Sequence, residues 1–168
     1  GTVDELNSYI GLCIVKQEEK DIKKHLIEIQ KDLLTVGANL AYPAVLNESL
    51  TEEGLASKIP LIDDQVIERV ESWIDEYEEE LPVLKNFILS GGGTEISAYL
   101  HLARTICRRA ERNIVALKHK EEVNKNILKY MNRLSDYLFT AARLSSQRVG
   151  HKDLKWTPKL DTFFEEEE

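Results

Sequence analysis

Val3, Leu6, Ile10, Cys13 and Ile14 recur at the three- and four-residue spacing of one helix face. Ile22, Leu26, Ile29, Leu33, Leu34 and Val36 repeat it, which predicts a second helix from about Asp21 to Ala41. The pattern then fails across AYPAVLNESLTEEGLASKIP, where Pro43, Gly54 and Pro60 mark a loop. Asp63 or Asp64 is placed to cap a third helix carrying Val66, Ile67, Val70, Trp73, Ile74 and Tyr77, with Pro82 ending it. FILSGGGT is a short apolar run followed by three glycines, a tight connection. Thr94 then caps a fourth helix, from about Glu95 to His119, and a fifth runs from about Glu122 to Val149. There is no Val/Ile/Thr alternation of the kind that builds sheets, no internal repeat and no extended heptad pattern. The expected fold is all-α, a five-helix, ferritin-like bundle over residues 1–150. Residues 151–168 are expected to form a C-terminal tail, frayed at DTFFEEEE.

A chain of 168 residues is long enough for one such core. Its formal net charge of -8 argues against nucleic acid, since phosphate neutralisation needs a basic face. No apolar run approaches the ~20 residues of a membrane helix, and no signal-like segment opens the sequence. Cys13 and Cys107 are far apart and sit among apolar neighbours, so both read as reduced core thiols in the cytoplasm or another reducing space. The four histidines lack Glu-x-x-His partners, which disfavours a di-iron bundle and leaves no metal ligand set. The first helical pattern is already under way at Gly1, so a segment upstream is expected.

Against this acidic background, ARTICRRAERNI concentrates cations in the fourth helix. At about 100° per residue, Ile96, Leu100, Ala103, Ile106, Cys107, Ala110, Ile114 and Leu117 share one arc. Ser97, His101, Arg104, Arg108, Glu111 and Arg112 fall in the next, and Arg109 points away from both. Arg104, Arg108 and Arg112 stack like charges at successive i,i+4 positions, a repulsion of about 0.2–0.5 kcal/mol per pair. Internal carboxylates such as Glu111 or a bound polyphosphate relieve it equally well; a solvated face with local ion pairs is the plainer alternative. On the fifth helix Asn132, Asp136, Phe139 and Arg143 share a side, which sets an amide and an acid where they meet the arginine strip or simply brace the bundle. SGGGT at a helix N-terminus has the makings of an anion nest, but it lacks the Gly-Lys-Ser/Thr ending of a P-loop and reads first as a turn. No nucleophile–base pair for hydrolysis stands out.

Three blocks, GTVDELNSYIG, NFILSGGGTEISAYLHLARTICRRAER and YMNRLSDYLFTAAR, together resemble the PduO-type ATP:cob(I)alamin adenosyltransferases, in that family's order and over residues 1 to about 150. The resemblance implies a homotrimer of five-helix bundles with active sites between subunits. It implies transfer of the 5′-deoxyadenosyl group of ATP to the cobalt of cob(I)alamin, giving adenosylcobalamin and triphosphate, with Mg²⁺ required. By the same resemblance Arg104 pairs with Asp4 across the subunit boundary, and Arg108 and Asn132 bind ATP. Glu111 and Arg112 organise the strip, and Phe87 lies beneath the corrin. A phenylalanine in so short an apolar segment otherwise packs as a plug between helices. Ser90 stands where the family has proline, and the glycine turn is one residue longer. The family's glycine- and threonine-rich segment, which wraps the ATP phosphates, is expected upstream of Gly1. A reductase and an adenosylcobalamin-dependent enzyme are the expected protein partners. The alternatives are a non-catalytic trimeric bundle that binds nucleotide or cobalamin, and a helical interaction protein whose arginine face meets an acidic partner.

Overall fold

The computed structural model describes residues 1–41 and 60–157. They form five helices: α1 (Thr2–Lys16), α2 (Lys20–Ala41), α3 (Asp64–Glu80), α4 (Glu95–Lys118) and α5 (Lys125–Gln147). Their apolar stripes pack α1 on α2 and α4, and α5 on α3 and α4. Leu6, Ile10, Leu26, Leu33, Val70, Leu100, Leu134 and Leu138 meet in one continuous core. α1 and α4 run antiparallel, joined by Thr2 to Asn113 at one end and by Lys16 to Glu95 at the other.

The expected caps are present. The Asp63 carboxylate accepts from the Val66 amide and the Thr94 hydroxyl oxygen from the Ser97 amide, each satisfying an orphan N–H of a first turn. The fifth helix starts later than expected, at Lys125, because the Asn124 side chain accepts from the Asn126 amide and so fixes the cap there. The loop predicted over 41–60 lies almost wholly outside the described residues. Cys13 and Cys107 are free and buried; burial pushes the Cys13 thiol up to about 12, so neither is a reactive thiolate.

Three buried tyrosines place hydroxyls inside the bundle, each with a partner. Tyr130 donates to Asp32, which also pairs with Arg69 at 2.6 Å. Tyr77 meets His25 Nδ1 at 2.8 Å and lies near the Tyr137 hydroxyl.

The connection from α3 to α4 carries the main departure from expectation. Ile88 pairs with Lys155 in an isolated antiparallel bridge. The Leu89 amide donates to the Leu154 carbonyl and the Trp156 amide to the Phe87 carbonyl, both at 2.8 Å. Residues 154–156 therefore form the second strand of a minimal ribbon; the DTFFEEEE stretch lies outside the described residues. The glycine turn fits this packing. Gly91 and Gly92 take positive φ, and a Cβ on Gly92 would stand 2.8 Å from Leu154. A Cβ on Gly93 would stand 2.1 Å from the Ser146 hydroxyl oxygen, so the backbone lies directly against α5. Gly93→Ala should cost about 1–3 kcal/mol through this overpacking and lower the melting temperature. A melting temperature equal to wild type would show that the turn is not held against α5.

Candidate active site

α4 and α5 carry most of the polar residues singled out in the sequence. Arg108 and Arg112 are exposed on α4 and enter no ion pair among the described residues. Glu111, half-buried between them, accepts a hydrogen bond from the Asn132 side-chain amide of α5 at 3.2 Å. Arg133 donates to the Asn132 carbonyl oxygen at 2.7 Å and pairs with Asp136 at 3.1 Å. Asn132 is therefore clamped between α4 and its own helix, its amide oriented by one acid and one cation. Asp136 meets Arg133 of its own helix rather than the arginine strip. Arg109 leaves the strip as expected and reaches Glu5 on α1 at 2.5 Å.

Arg104 has a different setting. Its guanidinium lies over the Phe139 ring, 5.3 Å from the centroid. Arg143 approaches the same ring at 5.9 Å, and the His101 ring meets it edge-on. The wheel grouped Ser97 and His101 with the polar arc, yet both are buried, because α5 covers the first half of that arc. His101 Nδ1 is buried with no hydrogen-bond partner. Burial, reinforced by the charge of Arg104, pushes the His101 imidazole below its ordinary value, so the ring is neutral near pH 7. Two guanidinium groups share the Phe139 ring at the α4–α5 seam, that of Arg143 ion-paired with Asp153, a feature that side-chain spacing alone did not reveal.

Asp4 is exposed on α1 and makes no ion pair among the described residues. Arg104 faces Phe139, so a single chain does not join these two residues.

Phe87 is 80% exposed. It is not a plug between helices; it stands on the ribbon with Trp156 edge-on at 6.3 Å. Leu89, Leu154 and Trp156 are also exposed, so the ribbon presents an apolar face beside the helical bundle. Trp156 went unremarked in the sequence because only the long-range pairing of 154–156 with 87–89 brings it to Phe87. Among the described residues no three His, Cys, Asp or Glu side chains converge as a metal site, and no helix is long and apolar enough to cross a membrane.

The cobalamin adenosyltransferase family model matches residues 1–145. The corrinoid adenosyltransferase of Bacillus subtilis (strain 168) is 41% identical over 161 residues, covering 93% of this chain and 77% of that protein. The human corrinoid adenosyltransferase MMAB is 42% identical over 155 residues, covering 91% of this chain but 60% of its own length. Among solved structures, a phenylalanine-to-histidine variant of the PduO-type ATP:corrinoid adenosyltransferase from Lactobacillus reuteri, complexed with cobalamin and ATP, superposes with a TM-score of 0.82 at 37% identity, covering 93% of this chain and 80% of that one. An arginine-to-lysine variant of the same enzyme, complexed with ATP, gives 0.80 at 35% identity, covering 94% and 84%. By the family match over residues 1–145 and the shared helical architecture of the described residues, this chain belongs to the cobalamin adenosyltransferase family.

Proposed function

We propose that the protein transfers the 5′-deoxyadenosyl group of ATP to the cobalt of cob(I)alamin. The observation that carries the proposal is the pair of exposed arginines, Arg108 and Arg112, without an ion pair among the described residues and flanking the Glu111–Asn132 bond in a chain of net charge -8. Left without an anion, that stripe is repulsive; a triphosphate relieves it with bidentate contacts. The named activities of its relatives, and their complexes with ATP and cobalamin, support the same reading.

In this reaction the reduced cobalt attacks C5′. A Co–C bond forms, the C5′–O bond breaks, and the bonding pair leaves with the triphosphate. Cobalt goes from +1 to +3, so electrons balance without a further oxidant. The protein supplies no nucleophile. Arg108 and Arg112 neutralise the leaving group, and Asn132, held by Glu111 and Arg133, orients the nucleotide. Phe87 is placed to lie beneath the corrin. Mg²⁺ is proposed to arrive with ATP, coordinated by phosphate oxygens and water. Reduced, buried cysteines suit the cytoplasm, where a reductase supplies cob(I)alamin and an adenosylcobalamin-dependent enzyme receives the product.

Product analysis tests the reaction type. One triphosphate should appear per cobalamin alkylated, and release of diphosphate or orthophosphate in its place would contradict adenosyl transfer.

The assembly is proposed to be a homotrimer in which Asp4 of one subunit meets Arg104 of the next. Support comes from the exposure of Asp4 and from its having no ion-pair partner among the described residues. Asp4→Arg should weaken assembly and activity together, and adding Arg104→Asp should restore part of both. A monomer by light scattering at micromolar concentration would sink this assignment.

A further inference from the structure

The ribbon has a second face. Side chains alternate across paired strands, so Ile88 and Lys155, which pair directly, point away from Phe87 and Trp156. Both line a cavity of about 410 Å³ closed by the segment after α3 and the segment after α5. Its charge is unbalanced. Arg143, 6% exposed, donates Nε to Asp153 at 2.9 Å and Nη2 to the Pro82 carbonyl at 2.8 Å. That contact ties the two segments together and matches the charge of Asp153 within the wall. Lys85, Lys152 and Lys155 also line the cavity and pair with no carboxylate among the described residues. Three ammonium groups without a carboxylate partner among the described residues therefore line the same cavity as the apolar Pro82, Val83 and Ile88, in a protein whose net charge is -8.

Such a site suits an organic phosphate: an anion for the lysines joined to an apolar body for the apolar lining. Resting on the adenosyltransferase reading, the candidate is part of the corrinoid itself. Cobalamin carries a single phosphodiester, in the nucleotide tail whose benzimidazole serves as the lower axial ligand. With Phe87 beneath the corrin, that base is displaced and its tail swings clear. We propose that this cavity receives the displaced nucleotide tail, the phosphodiester held by Lys85, Lys152 and Lys155 and the base resting on Pro82, Val83 and Ile88.

The test compares cobalamin with cobinamide, a corrinoid that lacks the nucleotide phosphate and base. In wild type, kcat/KM should favour cobalamin. The triple variant Lys85→Ala, Lys152→Ala, Lys155→Ala should reduce that preference on the order of ten-fold, mainly through the KM for cobalamin. The triple Lys→Arg variant should keep it. Inorganic phosphate at millimolar concentration should compete with cobalamin and leave cobinamide turnover unchanged. The three lysines are exposed, so the melting temperature should stay near wild type. An unchanged preference in the alanine variant overturns the proposal, as does an equal loss for both corrinoids. Equal inhibition by phosphate with both corrinoids would assign the lysines to a free phosphate instead. If wild type alkylates neither corrinoid, the reading on which the proposal rests fails with it.

Discussion

Replacing Arg108 with alanine should lower kcat/KM for ATP-dependent alkylation about 10²- to 10³-fold while leaving the fold intact. Removing one preorganised donor to a developing negative charge costs about 2.7–4 kcal/mol at the transition state. Arg108 is exposed and enters no ion pair among the described residues, so its loss breaks no ion pair there. Stability should stay within about 0.5 kcal/mol of wild type. Arg108→Lys should recover only part of the activity, because an ammonium gives up the planar two-donor geometry. Circular dichroism and a melting curve beside the kinetics separate the two explanations. Wild-type kinetics in Arg108→Ala would return the stripe to a solvated helix face.

Phe87→Ala should separate two assays that most damaging substitutions affect together. Cobalt(II) in cobalamin holds a lower axial ligand that opposes reduction to cobalt(I). A bulky apolar ring beneath the corrin excludes that ligand and water, and so eases the electron transfer. Starting from cob(II)alamin with a reductant, Phe87→Ala should lose at least about ten-fold more rate than when started from pre-reduced cob(I)alamin; each decade is about 1.4 kcal/mol. Exposure makes this a clean experiment. A buried phenylalanine costs about 3–5 kcal/mol on truncation, whereas Phe87 is 80% exposed and should cost a small fraction of that. Equal losses in both assays would remove Phe87 from the reduction step.

The helices were legible because their apolar residues follow a 3.6-residue period and because Asp63 and Thr94 announce two starts. That Asn132 faces α4 was legible from the helix wheel; that its partner there is Glu111, and that Asp136 turns to Arg133 of its own helix, was not. The setting of Arg104 was not. Its contact with Phe139, shared with Arg143, depends on the register of α4 against α5, and no local spacing encodes that. His101 misled for a related reason: an imidazole counts as polar on a wheel, yet its ring packs edge-on against Phe139. The ribbon of 87–89 with 154–156 was hidden because one bridge is too short to leave a period-2 pattern. Reading residues after 150 as a tail therefore missed Trp156, Arg143's partner Asp153, and Lys152 and Lys155 of the cavity behind the ribbon. The roles of Asp4, Arg108 and Phe87 rest on family resemblance, which the geometry supplements with exposure and free charge.

The central claim is alkyl transfer to cobalt, and the absorption spectrum of the corrinoid reports it directly. The protein is mixed anaerobically with cob(I)alamin and Mg²⁺·ATP, and the spectrum is followed with time. The account predicts that the cob(I)alamin bands decay into those of a light-sensitive alkylcobalamin, at a rate that scales with protein and requires ATP. A spectrum that stays that of cob(I)alamin, under conditions where ATP binding is verified in the same sample, would contradict it and leave a binding protein in its place.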